Sequence, residues 1–172
     1  SSRTVHCDRI LEDGEALQLG SQEWTVLITP GHHPGHVCLL SDAGLVAGDM
    51  VAGIGTILIP PGTGDMDVYI EQLQRLKQLK PHLMFPSHGP VIPLPDKTLA
   101  YYIKHRMERH QRVLDAVISG LSTVSEISVQ AYANTPDAHP GLAQDQTIAH
   151  LLSHERAGRV KQTNHGWIRG DD

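Results

Sequence analysis

Cysteine is scarce in this chain: Cys7 and Cys38 are the only two in 172 residues. Two thiols cannot build the framework that staples small secreted domains, and neither lies in a Cys-x-x-Cys pair of the kind used for zinc or redox chemistry. A reducing, cytoplasmic setting is therefore the expectation. Long apolar runs are missing as well. Nothing approaches the roughly 20 consecutive residues that span a bilayer, and Ser1 to Leu11 has no signal-peptide core, so no membrane partner is expected. A surplus of one charge is also lacking. The formal charge is only -5, from 14 Lys and Arg against 19 Asp and Glu interspersed along the chain, which leaves no electrostatic case for nucleic acid or lipid. No internal repeat or low-complexity tract interrupts it. A small-molecule partner is the default.

Histidine, glycine and proline are what the chain does have: 12, 16 and 11 residues respectively, with the glycines and prolines mostly before Asp96. That first part reads as short strands joined by tight loops. Glu23 to Thr29, Val37 to Leu40 and Leu45 to Ala47 are apolar or β-branched runs bounded by Gly, Pro and Asp, the signature of strands. Between Asp67 and Leu79, Val68, Leu73, Leu76 and Leu79 recur at helical spacing, Asp65 or Asp67 can cap the start, and Pro81 stops the pattern. His82 to Phe85 is one more short strand. Strand, helix, strand, loop is an α/β layer.

From Asp96 the pattern turns helical. Leu99, Ile103, Met107, Val113, Leu114 and Val117 form a stripe that predicts a helix over Lys97 to Ile118, closed by Gly120. Thr123-Val-Ser-Glu126 is a capping box opening a second helix through Ile127 and Tyr132. Gln144 to Ala157 reads as a third, with Ile148, Leu151 and Leu152 inward, and Asn164-His165-Gly166 as the turn of a hairpin over Val160 to Ile168. Three helices and a hairpin is the winged-helix order. The expected division is residues 1–95 and 96–172.

Chemistry concentrates in the loops at strand ends. Thr29-Pro-Gly-His-His-Pro-Gly-His36 supplies imidazoles on a backbone that can turn closely around an ion. Gly48-Asp49 supplies a carboxylate able to bridge two ions, and Ser87-His88-Gly89 a further imidazole. Donors of this type on separate loops suit zinc, with manganese or iron as alternatives.

The order Thr-Pro-Gly-His-x-Pro-Gly-His, then Gly-Asp, then a helix, then Ser-His-Gly-Pro resembles the metallo-β-lactamase-fold hydrolases, within them the lactamase-beta-2-like and glyoxalase-II-like branch. The stretch Thr56-Ile-Leu-Ile-Pro-Pro to Gly64-Asp65-Met66, the run Tyr69-Ile70-Glu71-Gln72-Leu73 and the tail from Ala149 to Val160 are similar to that branch too. The resemblance implies the second half of an αββα metallo-β-lactamase sandwich followed by a mainly helical winged-helix domain. It implies two divalent metal ions, with His32 on the first, Asp49 as the bridging and catalytic carboxylate, and His88 on the second. His36 would support the loop, and His33 would support it too or face substrate. In the family a hydroxide between the ions attacks a carbonyl or phosphorus centre, so the implied substrate is a thioester, an ester or an RNA phosphodiester.

The family's other ligands lie on a His-x-His-x-Asp-His segment, and no His-x-His or Asp-His occurs in these 172 residues. The expectation is therefore a fragment that needs the N-terminal half of its own domain as partner. Alone it should be inactive and hold metal weakly. The alternative is a half-domain that has lost catalysis and works as a protein-binding module, as a homodimer among other arrangements. DNA binding by the tail is not expected: from Asp96 to Asp172 nine Lys and Arg face nine Asp and Glu, with no basic stripe on the third helix. His6, His82, His105, His110, His139, His150, His154 and His165 read as surface or capping residues, and Arg106 and Arg109 as part of a solvated helix face.

Overall fold

The computed structural model describes residues 7–170; His6 lies outside them. Four antiparallel strands come first: β1 (Ala16–Leu19), β2 (Gln22–Ile28), β3 (Val37–Ser41) and β4 (Gly44–Gly48). Helix α1 (Met66–Gln78) then crosses to β5 (Met84–Pro86), which pairs parallel to β4 and completes a sheet of order β1-β2-β3-β4-β5. The predicted strands are all present, with β5 at Met84–Pro86 instead of His82 to Phe85, and Lys80 turns at φ 48 just before Pro81. Strand β1 has no counterpart in the sequence reading. Its Leu17 is only half-buried and the flanking residues are exposed, so it carries little apolar signal and owes its form to the ladder with β2.

Pairing register sorts the sheet into two faces. Leu40, Leu45 and Met84 align across β3, β4 and β5 and, with Leu27 and Cys38, face a core that takes in Tyr69, Leu73 and Leu76 of α1. Val26, Leu39, Val46 and Phe85 align in a second row on the opposite face, where Val46 is 37% exposed.

Asp65 caps α1, its side chain accepting from the amides of Asp67 and Val68. Leu79, expected in the apolar stripe, is the C-cap of the helix and is 41% exposed. After β5 comes α2 (Pro95–Ile118), then α3 (Val124–Ala131) with the expected capping box closed between Thr123 and Glu126. Next follow α4 (Pro140–Arg156) and the hairpin of β6 (Val160–Thr163) and β7 (Gly166–Arg169). Helix α4 starts four residues before Gln144, because Pro140 takes the first helical position, where a missing N–H costs nothing. No helix among the described residues is long and apolar enough to cross a membrane.

Helix α2 serves two cores. Leu99 and Tyr102 join the core beneath the sheet, while Val113, Ala116 and Val117 join a second one with Ile127, Ala131, Leu151, Val160 and Trp167. Packing on several sides overturns two expectations. Met107 is exposed, and Arg106 and Arg109 are buried at 3% and 4% exposure instead of facing water. Backbone carbonyls explain how cations can be there: Arg106 donates to the Ile57 carbonyl, and Arg109 donates to the Ala131 carbonyl while lying over the Tyr132 ring. His110, His150 and His154 are likewise buried, not surface residues. The rings of His110 and His154 stack with centroids 3.5 Å apart at the α2–α4 contact, and His110 Nδ1 lies 3.3 Å from His150 Nδ1.

Candidate metal centre

The chain leaves β2 through Thr29 into the loop that carries His32. Gly31 sits at φ +126, and a Cβ there would fall 2.4 Å from the Cα of Tyr69, so only glycine lets this loop lie on α1. The Gly31 carbonyl accepts from the Asp65 amide at 2.7 Å, tying the loop to the helix start. His32 is then fixed by its Nδ1, which lies 2.7 Å from the Leu58 carbonyl. A carbonyl can only accept, so Nδ1 carries a proton, and in the neutral ring Nε2 is the nitrogen with the free lone pair.

Asp49 follows Gly48, which turns out of β4 at φ +53. The Asp49 amide donates to His36 Nε2 at 2.9 Å, and the other nitrogen of that ring, 2.8 Å from Thr29 Oγ1, completes the support. Both nitrogens of His36 are committed to the protein. Burial, and secondly the neighbouring His32, pushes its pKa below 6.5. Cys38 lies beneath, accepting from Thr29 Oγ1, and burial pushes its thiol up to about 11, so it is no thiolate donor at neutral pH. His33 is exposed and accepts the Gly35 amide at 3.1 Å on its Nδ1, a loop contact.

His32, Asp49 and His88 come together. Nε2 of His32 is 3.7 Å from Asp49 Oδ2, and Nε2 of His88 is 3.4 Å from Asp49 Oδ1. Both distances exceed a hydrogen bond. Two donors on one tetrahedral zinc stand about 3.4 Å apart, given bond lengths of about 2.0–2.2 Å. Asp49 Oδ1 is buried yet has no hydrogen-bond partner. The carboxylate thus offers one oxygen to each imidazole, as a bridge between two ions would. The donors fit a two-metal centre in kind but not in number. Each side has one nitrogen and one oxygen, and among the described residues no three His, Cys, Asp or Glu side chains group closely enough to hold one ion.

Three supporting groups escaped the sequence reading: the Leu58 carbonyl, Tyr69 and Tyr102. Tyr69 donates to the Met50 carbonyl at 2.7 Å, and the Tyr102 hydroxyl accepts from the Ala52 amide at 2.8 Å. Together they brace the chain that leaves Asp49. The sequence signals were the Thr56-Ile-Leu-Ile-Pro-Pro stretch, which marked Leu58, and the run from Tyr69 to Leu73, which marked Tyr69, both by likeness and not by chemistry.

The sequence pattern of the metallo-beta-lactamase superfamily matches residues 3–88, half of the chain. A beta-lactamase-like protein 2 homologue from Drosophila melanogaster is 32% identical over 141 residues, covering 79% of this chain and 47% of that protein. An atrochrysone carboxyl ACP thioesterase from Aspergillus fumigatus is 28% identical over 107 residues, covering 61% of this chain and 32% of its own length. Among solved structures, a beta-lactamase domain protein from Burkholderia ambifaria superposes with a TM-score of 0.81 at 25% identity, over 94% of this chain and 52% of that one. The chain spans about half the length of the relatives it matches over most of its own.

Proposed function

The chain belongs to the metallo-beta-lactamase superfamily, and on that premise we propose that it forms part of a two-metal hydrolase acting on acyl thioesters or esters. The observation that carries this reading is the Asp49 carboxylate lying between His32 and His88 with a buried, unpartnered oxygen. His32 would hold one ion, His88 the other, and Asp49 both. Bound divalent ions would polarise the acyl carbonyl and lower the pKa of a water enough to make it a nucleophile at neutral pH. The chain's own part is orientation. His36 fixes the backbone of Asp49, and the Leu58 carbonyl keeps the Nε2 lone pair of His32 turned to the carboxylate.

With two donors on each side, a complete shell takes ligands from beyond these residues, so the fragment alone would be inactive and would bind zinc weakly. Thioester over RNA phosphodiester is supported by the thioesterase relative and by the even charge of the helical tail. The test is the protein encoded by the complete reading frame, assayed for bound metal and for hydrolysis of an acyl thioester and of single-stranded RNA. We expect about two equivalents of metal, thioester cleavage, and loss of both in His88→Ala. Metal-free protein that still hydrolyses, or an unaffected His88→Ala variant, would overturn the reading.

A second reading, association through the sheet, is supported by the partly exposed apolar residues Leu39, Val46 and Phe85 on the face away from α1. It expects the chain to dimerise in sedimentation and a Val46→Lys variant to stay monomeric.

A further inference from the structure

Residues 57–59 belong to no strand, yet all three of their carbonyls are taken. The central one, Leu58, accepts from His32 Nδ1. The outer two point the other way: Arg106 of α2 donates to the Ile57 carbonyl, and Gln146 Nε2 of α4 donates to the Ile59 carbonyl at 2.9 Å. Arg106 also donates to Gln146 Oε1, which decides the orientation of that amide. With its oxygen turned to the guanidinium, only the NH2 group is left to face Ile59. The side chains follow the same period of two, Ile57 and Ile59 being buried in the core and Leu58 half-buried.

We propose that Arg106 and Gln146 are positioning residues for His32: they hold the strap 57–59 at both ends, so that its middle carbonyl fixes which nitrogen of His32 carries the proton. This rests on reading His32 as a metal donor. Arg106 is 3% exposed and pairs with no carboxylate among the described residues; its Nε has no partner at all. Its terminal nitrogens go to the strap and to Gln146, and its charge lies 5.5 Å from the centre of the Tyr69 ring. A buried guanidinium is costly to desolvate, and an apolar side chain of similar size often gives equal or greater stability. What an apolar replacement could not do is fix a carbonyl. The helical part of the chain thereby acts on the donor loop through two side chains, without touching substrate or ion.

The experiment uses the 172-residue chain without metal. Long-range proton–nitrogen correlation spectra report which nitrogen of each imidazole is protonated, with His32→Gln assigning the signals. We expect His32 in the unaltered chain to be the single Nδ1-protonated tautomer. Gln146→Glu keeps an oxygen for Arg106 but sets a second one against the Ile59 carbonyl, so it isolates the strap contact; Gln146→Leu removes the amide entirely. Both are expected to turn His32 into a mixture of tautomers and to weaken zinc binding about 10-fold or more, the usual scale for groups that orient a ligand. Ser153→Ala cuts another α4 hydrogen bond, to Asp67, away from the strap, and should leave His32 unchanged. Unaltered His32 signals in both Gln146 variants, or an equal change in Ser153→Ala, would overturn the proposal. If the tautomer changes as expected but the protein encoded by the complete reading frame takes up no metal, the positioning role stands and the metal reading fails.

Discussion

Nε2 of His36 accepts the amide hydrogen of Asp49 at 2.9 Å, so a ring thirteen residues upstream decides the backbone conformation of the central carboxylate. His36→Ala would leave that part-buried N–H without a partner, a loss of about 1–3 kcal/mol. The melting temperature should fall by roughly 2–4 °C per kcal/mol in a chain of this size. Calorimetry on the two proteins checks it, and unchanged melting would show that water replaces the ring. His36→Gln, which restores an acceptor, should recover part of the loss.

Gly31 is expected to be intolerant of any side chain. The smallest, in Gly31→Ala, would meet the backbone of Tyr69 while the residue is held at φ +126, adding overpacking to an unfavourable conformation. We expect a loss of about 3 kcal/mol or more, read from urea midpoints. A loss below about 1 kcal/mol, the general centre for point substitutions, would mean that the loop and α1 can separate.

Tyr102→Phe removes one oxygen atom and leaves the Ala52 amide buried without its acceptor. The expected cost is about 1–3 kcal/mol. Amide exchange at Ala52 should accelerate, because its N–H loses the hydroxyl that accepts it at 2.8 Å. Exchange unaltered at that amide would count against this bracing.

Acid should destabilise the chain before its carboxylates titrate. Burial pushes His110 down to about 4, with the neighbouring His154 second, and lowers His150 and His154 as well. Unfolded, these rings would bind protons near pH 6.5, so in the intervening range the unfolded chain holds more protons than the folded one. Stability present above pH 6.5 is therefore lost as the pH falls toward about 4. The carboxylates with resolved shifts next to arginines do not explain such a loss, because Asp13 and Asp67 are lowered from 3.8, the first chiefly by its Arg75 hydrogen bond. Urea midpoints at pH 7.5 and pH 5 should differ by less in His110→Gln than in the unaltered chain. Equal differences would place the acid sensitivity elsewhere.

Local signals were legible where they are made by neighbours in sequence. Leu73 and Leu76 fall on one helical face, Asp65 caps it, and Thr123 with Glu126 closes its box within three residues. The donor loops could be read because Gly31 and Gly48 are needed at positive φ beside His32 and Asp49. Burial of Arg106, Arg109 and His150 could not be read. What accommodates Arg106 and Arg109 is partly backbone, the carbonyls of Ile57 and Ala131, and a carbonyl has no letter in the sequence. The strap 57–59 was hidden for the same reason. Its work is done by oxygens that every residue possesses.

Helix α2 gives Leu99 and Tyr102 to one core and Val113 and Val117 to the other without a break. Each added residue turns everything downstream by about 100° around the helix axis. One inserted or deleted residue between Arg106 and Val113 would therefore swing one of the two apolar faces into water, however conservative the residue itself. This stretch should admit exchanges of side chain but no change of length, while the exposed turn at Asn164 and His165 stays open to insertion.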